Sequence, residues 1–162
     1  RIACCYAAAL PARIVGDPAQ AEQQALRAPR NIPLPLNYPA VRRGRGGFSS
    51  GEPDYPATRA YRLVTRNRTR FESYRMVLST GEAGQYYGVQ GTAWKAPPIL
   101  DSPSEKMSLG GREFELHYDG KRLSVVALRT PNGSYWVSNT LSRTLTNQQM
   151  LAIAKSLKRL GS

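Results

Sequence analysis

Arginine is the residue type whose number and spacing first suggest chemistry. Between positions 42 and 75 there are nine arginines against three acids, Glu52, Asp54 and Glu72. A hairpin with a four-residue loop at Asn67-Arg68-Thr69-Arg70 would place Arg62 directly across from Arg75. Like charges opposite one another repel unless an anion or a carboxylate lies between them. The pair therefore reads in two ways. It is a phosphate or carboxylate clamp, which forked guanidinium donors suit, or the register is shifted and the charges line a solvated face. A second group follows at Tyr86-Tyr87-Gly88-Val89-Gln90-Gly91-Thr92-Ala93-Trp94. Aromatics beside amides and small residues can stack on sugar rings or bases while the amides hydrogen-bond, with Tyr87, Gln90 and Trp94 as the contacts. The same residues can instead fill a core, with the Trp beneath the sheet. Arg62, Arg75, Tyr87, Gln90 and Trp94 are thus the candidate ligand-binding residues.

Catalytic constellations are harder to assemble. His117 is the only histidine, so any Ser-His-Asp triad would have to use it. In the register read below it lies beside Arg122, while Ser124 pairs with Glu115, and no acid orients the ring as a triad requires. Glu113 and Glu115 alternate along one strand face, but nothing converges on them, and Asp119 belongs to a turn. Cys4 and Cys5 are adjacent, too close for a relaxed mutual disulfide. Two thiols and one imidazole are too few for most structural zinc sites. There is no Gly-rich phosphate loop followed by Lys-Ser/Thr and no Gly-x-Gly-x-x-Gly between a strand and a helix. No catalytic residue, metal or cofactor is expected from these residues.

The elements that must position these side chains are mostly hairpins. Strands are expected at 61–65 and 71–78, with the glycine-rich 81–94 a loop that folds over something or is folded over. Asp119-Gly120 signals a tight turn that would set Leu116 opposite Leu123 and Phe114 opposite Val125. Gly110-Gly111 sets Met107 opposite Phe114 and Lys106 opposite Glu115. Asn132-Gly133 leads into Tyr135-Trp136-Val137-Ser138-Asn139. At the end, Thr146 with Gln149 forms a capping box and Leu145 with Met150 a hydrophobic staple. Met150, Ile153, Ala154 and Leu157 then recur at helical spacing, with Lys155, Lys158 and Arg159 in the last turns. Residues 19–28 are rich in helix formers. Prolines at 29, 33, 35, 39, 53 and 56 and the run Arg42-Arg43-Gly44-Arg45-Gly46-Gly47 make 29–59 an extended linker or wrapping arm. The fold expected is α+β: an antiparallel sheet of about six strands, with a C-terminal amphipathic helix on one face. Residues 1–59 form a helical piece and arm, and 60–162 the domain.

Composition agrees with one packed domain. The 162 residues are 41% hydrophobic and 21% charged, and 23 Lys and Arg against 11 Asp and Glu give a net charge of +12. That charge makes a polyanion the favoured partner: nucleic acid, an anionic membrane face or an anionic wall polymer. No stretch reaches the length needed to span a bilayer. The apolar residues 2–15 are broken by Pro11 and Arg13 and lack the form of a signal peptide. Because the chain opens on Arg1, a processed chain or a fragment is expected, with any membrane anchor upstream.

Five groups of residues, taken in order, are distinctive: the 86–94 segment, Pro97-Pro98-Ile99-Leu100, Tyr118-Asp119-Gly120, Tyr135 to Leu141 (Tyr-Trp-Val-Ser-Asn-Thr-Leu), and Met150-Leu151-Ala152-Ile153-Ala154. Over about residues 60–160 they resemble the region that follows the catalytic domain in some actinobacterial members of the LytR-CpsA-Psr family. The resemblance implies an extracytoplasmic protein anchored through a segment upstream. In that family the catalytic domain moves a glycopolymer from a polyprenyl-phosphate carrier onto peptidoglycan, commonly with a divalent metal. The family's catalytic Arg and Asp residues belong to that upstream domain, and none can be placed here. A non-catalytic accessory module is therefore expected, with the catalytic domain of the same chain and anionic wall polymer or peptidoglycan as partners. A basic nucleic-acid-binding domain is the alternative, although no recognition helix or RNA-binding aromatic motif is present. A small hydrolase built on His117 or the Glu113/Glu115 strand ranks last.

Overall fold

The computed structural model describes residues 10–28, 32–49 and 56–161. In chain order the elements are β1 (Ile14–Gly16), α1 (Pro18–Leu26), β2 (Asn37–Pro39), β3 (Val41–Arg43), β4 (Gly47–Phe48), β5 (Thr58–Val64), β6 (Arg70–Ser79) and β7 (Tyr86–Thr92). After a 3-10 turn at Pro98–Leu100 come β8 (Glu105–Leu109), β9 (Arg112–Asp119), β10 (Arg122–Thr130), β11 (Gly133–Ser138), α2 (Asn147–Lys155) and β12 (Leu157–Arg159). The Cys4-Cys5 pair lies outside the described residues.

The fold is α+β, built on an eight-stranded antiparallel sheet rather than about six strands, in the order β4-β6-β7-β11-β10-β9-β8. β5 also pairs with β6, taking Thr58 to Met76 and onward, while β4 takes Ser79 and Leu78. β4 and β5 thus lie end to end along one edge of β6. Two short ribbons complete the fold, β1 with β3 and β12 with β2. The described part of the arm, 32–49, supplies β2, β3 and β4 and buries Asn37, Tyr38, Val41 and Arg43.

Alternation along the strands divides the sheet into two faces. Tyr74, Met76, Leu78, Tyr87, Val89, Phe114, Leu116, Val126, Leu128, Tyr135 and Val137 point to one side. They form a single core with Ala21, Ala25, Tyr38, Met150 and Ile153 from α1, β2 and α2. The capping box is present as expected: Thr146 Oγ1 accepts from Gln149 N, and Gln149 Oε1 accepts from Thr146 N. Helix α2 buries Gln149, Met150, Ile153 and Ala154 but ends at Lys155. The chain then turns extended, so Lys158 and Arg159 lie on β12 rather than in a last helical turn. Buried Asn139 fastens the β11–α2 connection. Its Nδ2 donates to the carbonyls of Leu123 and Leu145, and its Oδ1 accepts from the backbone of Thr140 and Leu145.

The hairpin at Gly110-Gly111 has the expected register, Lys106 to Glu115 and Met107 to Phe114, with both glycines at positive φ. The β9–β10 hairpin differs. Asp119 pairs with Arg122, so Gly120-Lys121 is the loop, and only Gly120 has positive φ, the type II′ pattern. A bulge follows at Ser124, whose hydroxyl donates to the His117 carbonyl at 3.0 Å. Leu116 therefore opposes Val126, and Phe114 opposes Leu128. The bulge has a packing reason: Leu123 and Val126 are three apart, and one inserted residue lets both reach the core.

The glycine-rich 86–92 stretch is not a loop but the strand β7, paired on one side with β6 and on the other with β11. Glycine is required at 91, where a Cβ would come within 2.3 Å of the Tyr74 ring and 2.7 Å of Tyr135. With β7 inside the sheet and β8 at its far edge, the connection 93–104 must cross β11, β10 and β9. It crosses on the face opposite α2, burying Leu100 against Ala127 and Trp136.

Candidate functional site

The outer face over β5, β6 and β7 collects most of the unusual side chains. The β5–β6 hairpin turns through Arg66-Asn67-Arg68, closed by Thr65 N donating to the Thr69 carbonyl at 2.9 Å, with Arg68 at φ 64°. This three-residue loop replaces the four-residue one. It pairs Arg62 with Glu72 and Arg59 with Arg75. Arg62 forms a 2.7 Å ion pair with Glu72 on the face opposite Arg75, so the Arg62/Arg75 clamp does not exist. Arg75 stands instead across from Arg59 on one side and Gln90 on the other.

Three cross-strand rows follow from these registers. Arg59, Arg75 and Gln90 form the first, Tyr61, Ser73 and Thr92 the second, and Leu63 with Phe71 the start of the third. Ser73 Oγ donates to Thr92 Oγ1 at 2.9 Å, which fixes the middle of the patch. Thr92 Oγ1 also accepts from Trp94 N at 3.2 Å, and the Trp94 ring stacks on Phe71 with centroids 5.1 Å apart and planes 7° apart. Arg59, Tyr61, Arg75 and Gln90 line an open depression of about 290 Å³. Arg75 makes no hydrogen bond or ion pair with another described residue, while its charge acts on the Tyr61 phenol. Burial pushes the Tyr61 pKa up, and the Arg75 charge partly offsets this.

The patch is chemically a cationic end and an aromatic end on one rigid surface. Guanidinium groups provide in-plane donors for phosphate or carboxylate oxygens, Gln90 an amide, and the Phe71–Trp94 stack an apolar plane. Of the residues singled out from sequence, Arg75, Gln90 and Trp94 share this face. Tyr87 does not: it is buried on the core side, its hydroxyl accepting from Arg43 N at 3.0 Å, and burial pushes its pKa up to about 12. Arg59, Tyr61 and Phe71 were missed. Their signal was the alternation of β5 and β6, legible only once the register was fixed.

Among the described residues, nucleophilic machinery does not gather elsewhere. His117 opposes Val125 rather than Arg122, and Ser124 is the bulged residue instead of a partner for Glu115. Glu115 is held by Arg129 Nε at 2.9 Å, and Glu113 by Lys106 at 3.6 Å. Burial lowers the His117 pKa, partly opposed by Glu115. Among the described residues, no group of three or more His, Cys, Asp or Glu is placed to hold a metal ion. No described helix is long and apolar enough to cross a membrane. Comparisons with protein-family models, curated proteins and solved structures found no match.

Proposed function

We propose that this chain is a non-catalytic binding module that engages an anionic glycopolymer through the outer face of β5, β6 and β7. The observation that carries the reading is the cross-strand alignment of Arg59, Arg75 and Gln90 on the same face as the stacked Phe71 and Trp94. A polymer that alternates anionic groups with sugar rings matches a surface that sets guanidinium donors at one end and an aromatic plane at the other. The net charge of +12 draws such a polymer in at long range. This surface is compatible with the resemblance to the accessory region of a LytR-CpsA-Psr glycopolymer transferase. The module would then stand outside the cytoplasmic membrane, bracing or feeding a catalytic domain of the same parent protein.

A second reading is single-stranded nucleic acid, because an aromatic stack beside arginines on a sheet face also suits bases and phosphates. The two are separated by co-sedimentation with insoluble cell wall. Under the wall reading, Arg75→Ala weakens retention roughly tenfold, the scale of a charge-assisted hydrogen bond. Trp94→Ala lowers it by a similar factor, as loss of a stacking plane does. Retention unchanged in both variants would sink the assignment of this face.

A further inference from the structure

A second cluster of arginines lies away from this face, where the β1–β3 ribbon meets the end of β6. Ile14 pairs with Arg43, and just beyond that pair Gly44 N donates to the Arg13 carbonyl at 2.8 Å. Arg13 turns the chain there in the left-handed region, with φ 65°. Arg13, Arg43 and Arg45, with Thr80, Gly81 and Glu82 opposite, line a cavity of about 300 Å³.

Three features make this a built site rather than a charged surface. The Arg43 side chain is 10% exposed, and its guanidinium makes no hydrogen bond with a described residue. Its one ionic partner among the described residues, Glu82, is 3.7 Å away and 58% exposed. A buried guanidinium with so little compensation is costly unless an anion completes it. The walls are also fixed. Arg42 reaches Asp17 with Nε at 2.9 Å, and its Nη1 donates to the carbonyls of Arg43, Gly44 and Gly46. A Cβ on Gly81 would meet the Arg45 backbone at 2.8 Å, so the two strands of chain close directly on each other. Finally, three guanidiniums against one carboxylate leave two positive charges among the lining residues.

We propose that this cavity binds a phosphoryl dianion, either free phosphate or the terminal group of a phosphomonoester. Arg43 provides the buried donors, and Arg13 and Arg45 close over the remaining oxygens. Glu82 competes with the ligand for Arg43. The site is separate from the outer-face patch and does not depend on the reading given to that patch.

Calorimetric titration of the full chain tests this, with inorganic phosphate, a sugar phosphate, sulfate and acetate as probes at pH 7.5 and pH 5.5. The second ionisation of a phosphomonoester lies near 6. The affinity of the sugar phosphate should therefore fall several-fold at pH 5.5, while sulfate, a dianion at both values, should bind equally at each. Glu82→Gln should tighten phosphate binding several-fold, and Arg13→Gln and Arg45→Gln should each weaken it about tenfold. Arg43→Gln is read only if its circular dichroism matches the parent, and the other variants stand without it. Tighter binding of the sugar phosphate than of phosphate would identify an esterified ligand, and the reverse the free ion. Acetate binding as well as phosphate, or phosphate binding indifferent to Glu82→Gln and Arg45→Gln, would overturn the proposal.

Discussion

Arg62 and Arg75 differ by thirteen positions and by the side of the sheet they occupy. Arg62 spends its charge on Glu72, an exposed pair worth under about 1 kcal/mol. Arg62→Ala should therefore leave wall retention within about twofold of the parent and shift the urea midpoint very little. An equal loss in Arg62→Ala and Arg75→Ala would mean that bulk charge, not position, governs binding. The residue types of the site were legible, but its composition depended on the loop. Left-handed positions in such hairpins favour glycine, and here Arg68 occupies one, so nothing in the sequence announced a three-residue turn. The tyrosines make a second prediction. Burial pushes Tyr87 and Tyr135 up to about 12 and Tyr74 well above its ordinary value. Unfolded tyrosines ionise near 10. The raised folded values therefore stabilise fully below pH 10, and that contribution is lost as pH climbs to about 12. Thermal melts should show this alkaline decline, and Tyr87→Phe should show a shallower one.

At the scale of elements, β7 shows why part of the fold was hidden. Glycine is depleted in strands, so Gly88 and Gly91 read as loop. Yet it is the missing side chain at 91 that lets Tyr74 and Tyr135 close over the strand. Gly91→Ala should cost about 1–3 kcal/mol by overpacking, measured by urea unfolding. A neutral result would mean that the rings are free to move apart. The Gly110-Gly111 hairpin was fully readable, because turn chemistry and apolar pattern demanded one register. The next hairpin was not, because a bulge can restore the apolar face after any one-residue shift. Asn139 supplies a prediction of its own. Asn139→Ala would strand several backbone groups between β10 and α2, each costing about 1–3 kcal/mol. A loss near 3 kcal/mol is expected by the same method, and less than 1 would show that the connection finds other partners.

Across the whole molecule the two faces of the sheet are used differently. One is closed by α1, α2 and the extended chain at 32–49, and the other is crossed by 93–104 over β9, β10 and β11. The outer face over β5, β6 and β7 carries Arg75, Gln90, Phe71 and Trp94. The net charge of +12 favours a polyanion partner, but composition cannot choose among polyanions. Any of them would give steep salt dependence. The choice comes from the pairing of arginine with a stacked aromatic, and that is what must be measured. The most direct test is sedimentation of the full chain with insoluble cell wall, before and after removal of the anionic polymers, at low and high salt with single-stranded DNA as competitor. Retention that requires the anionic polymer, persists in part at high salt and resists DNA is the predicted result. Retention abolished by DNA at every salt, or indifferent to stripping of the wall, would contradict it.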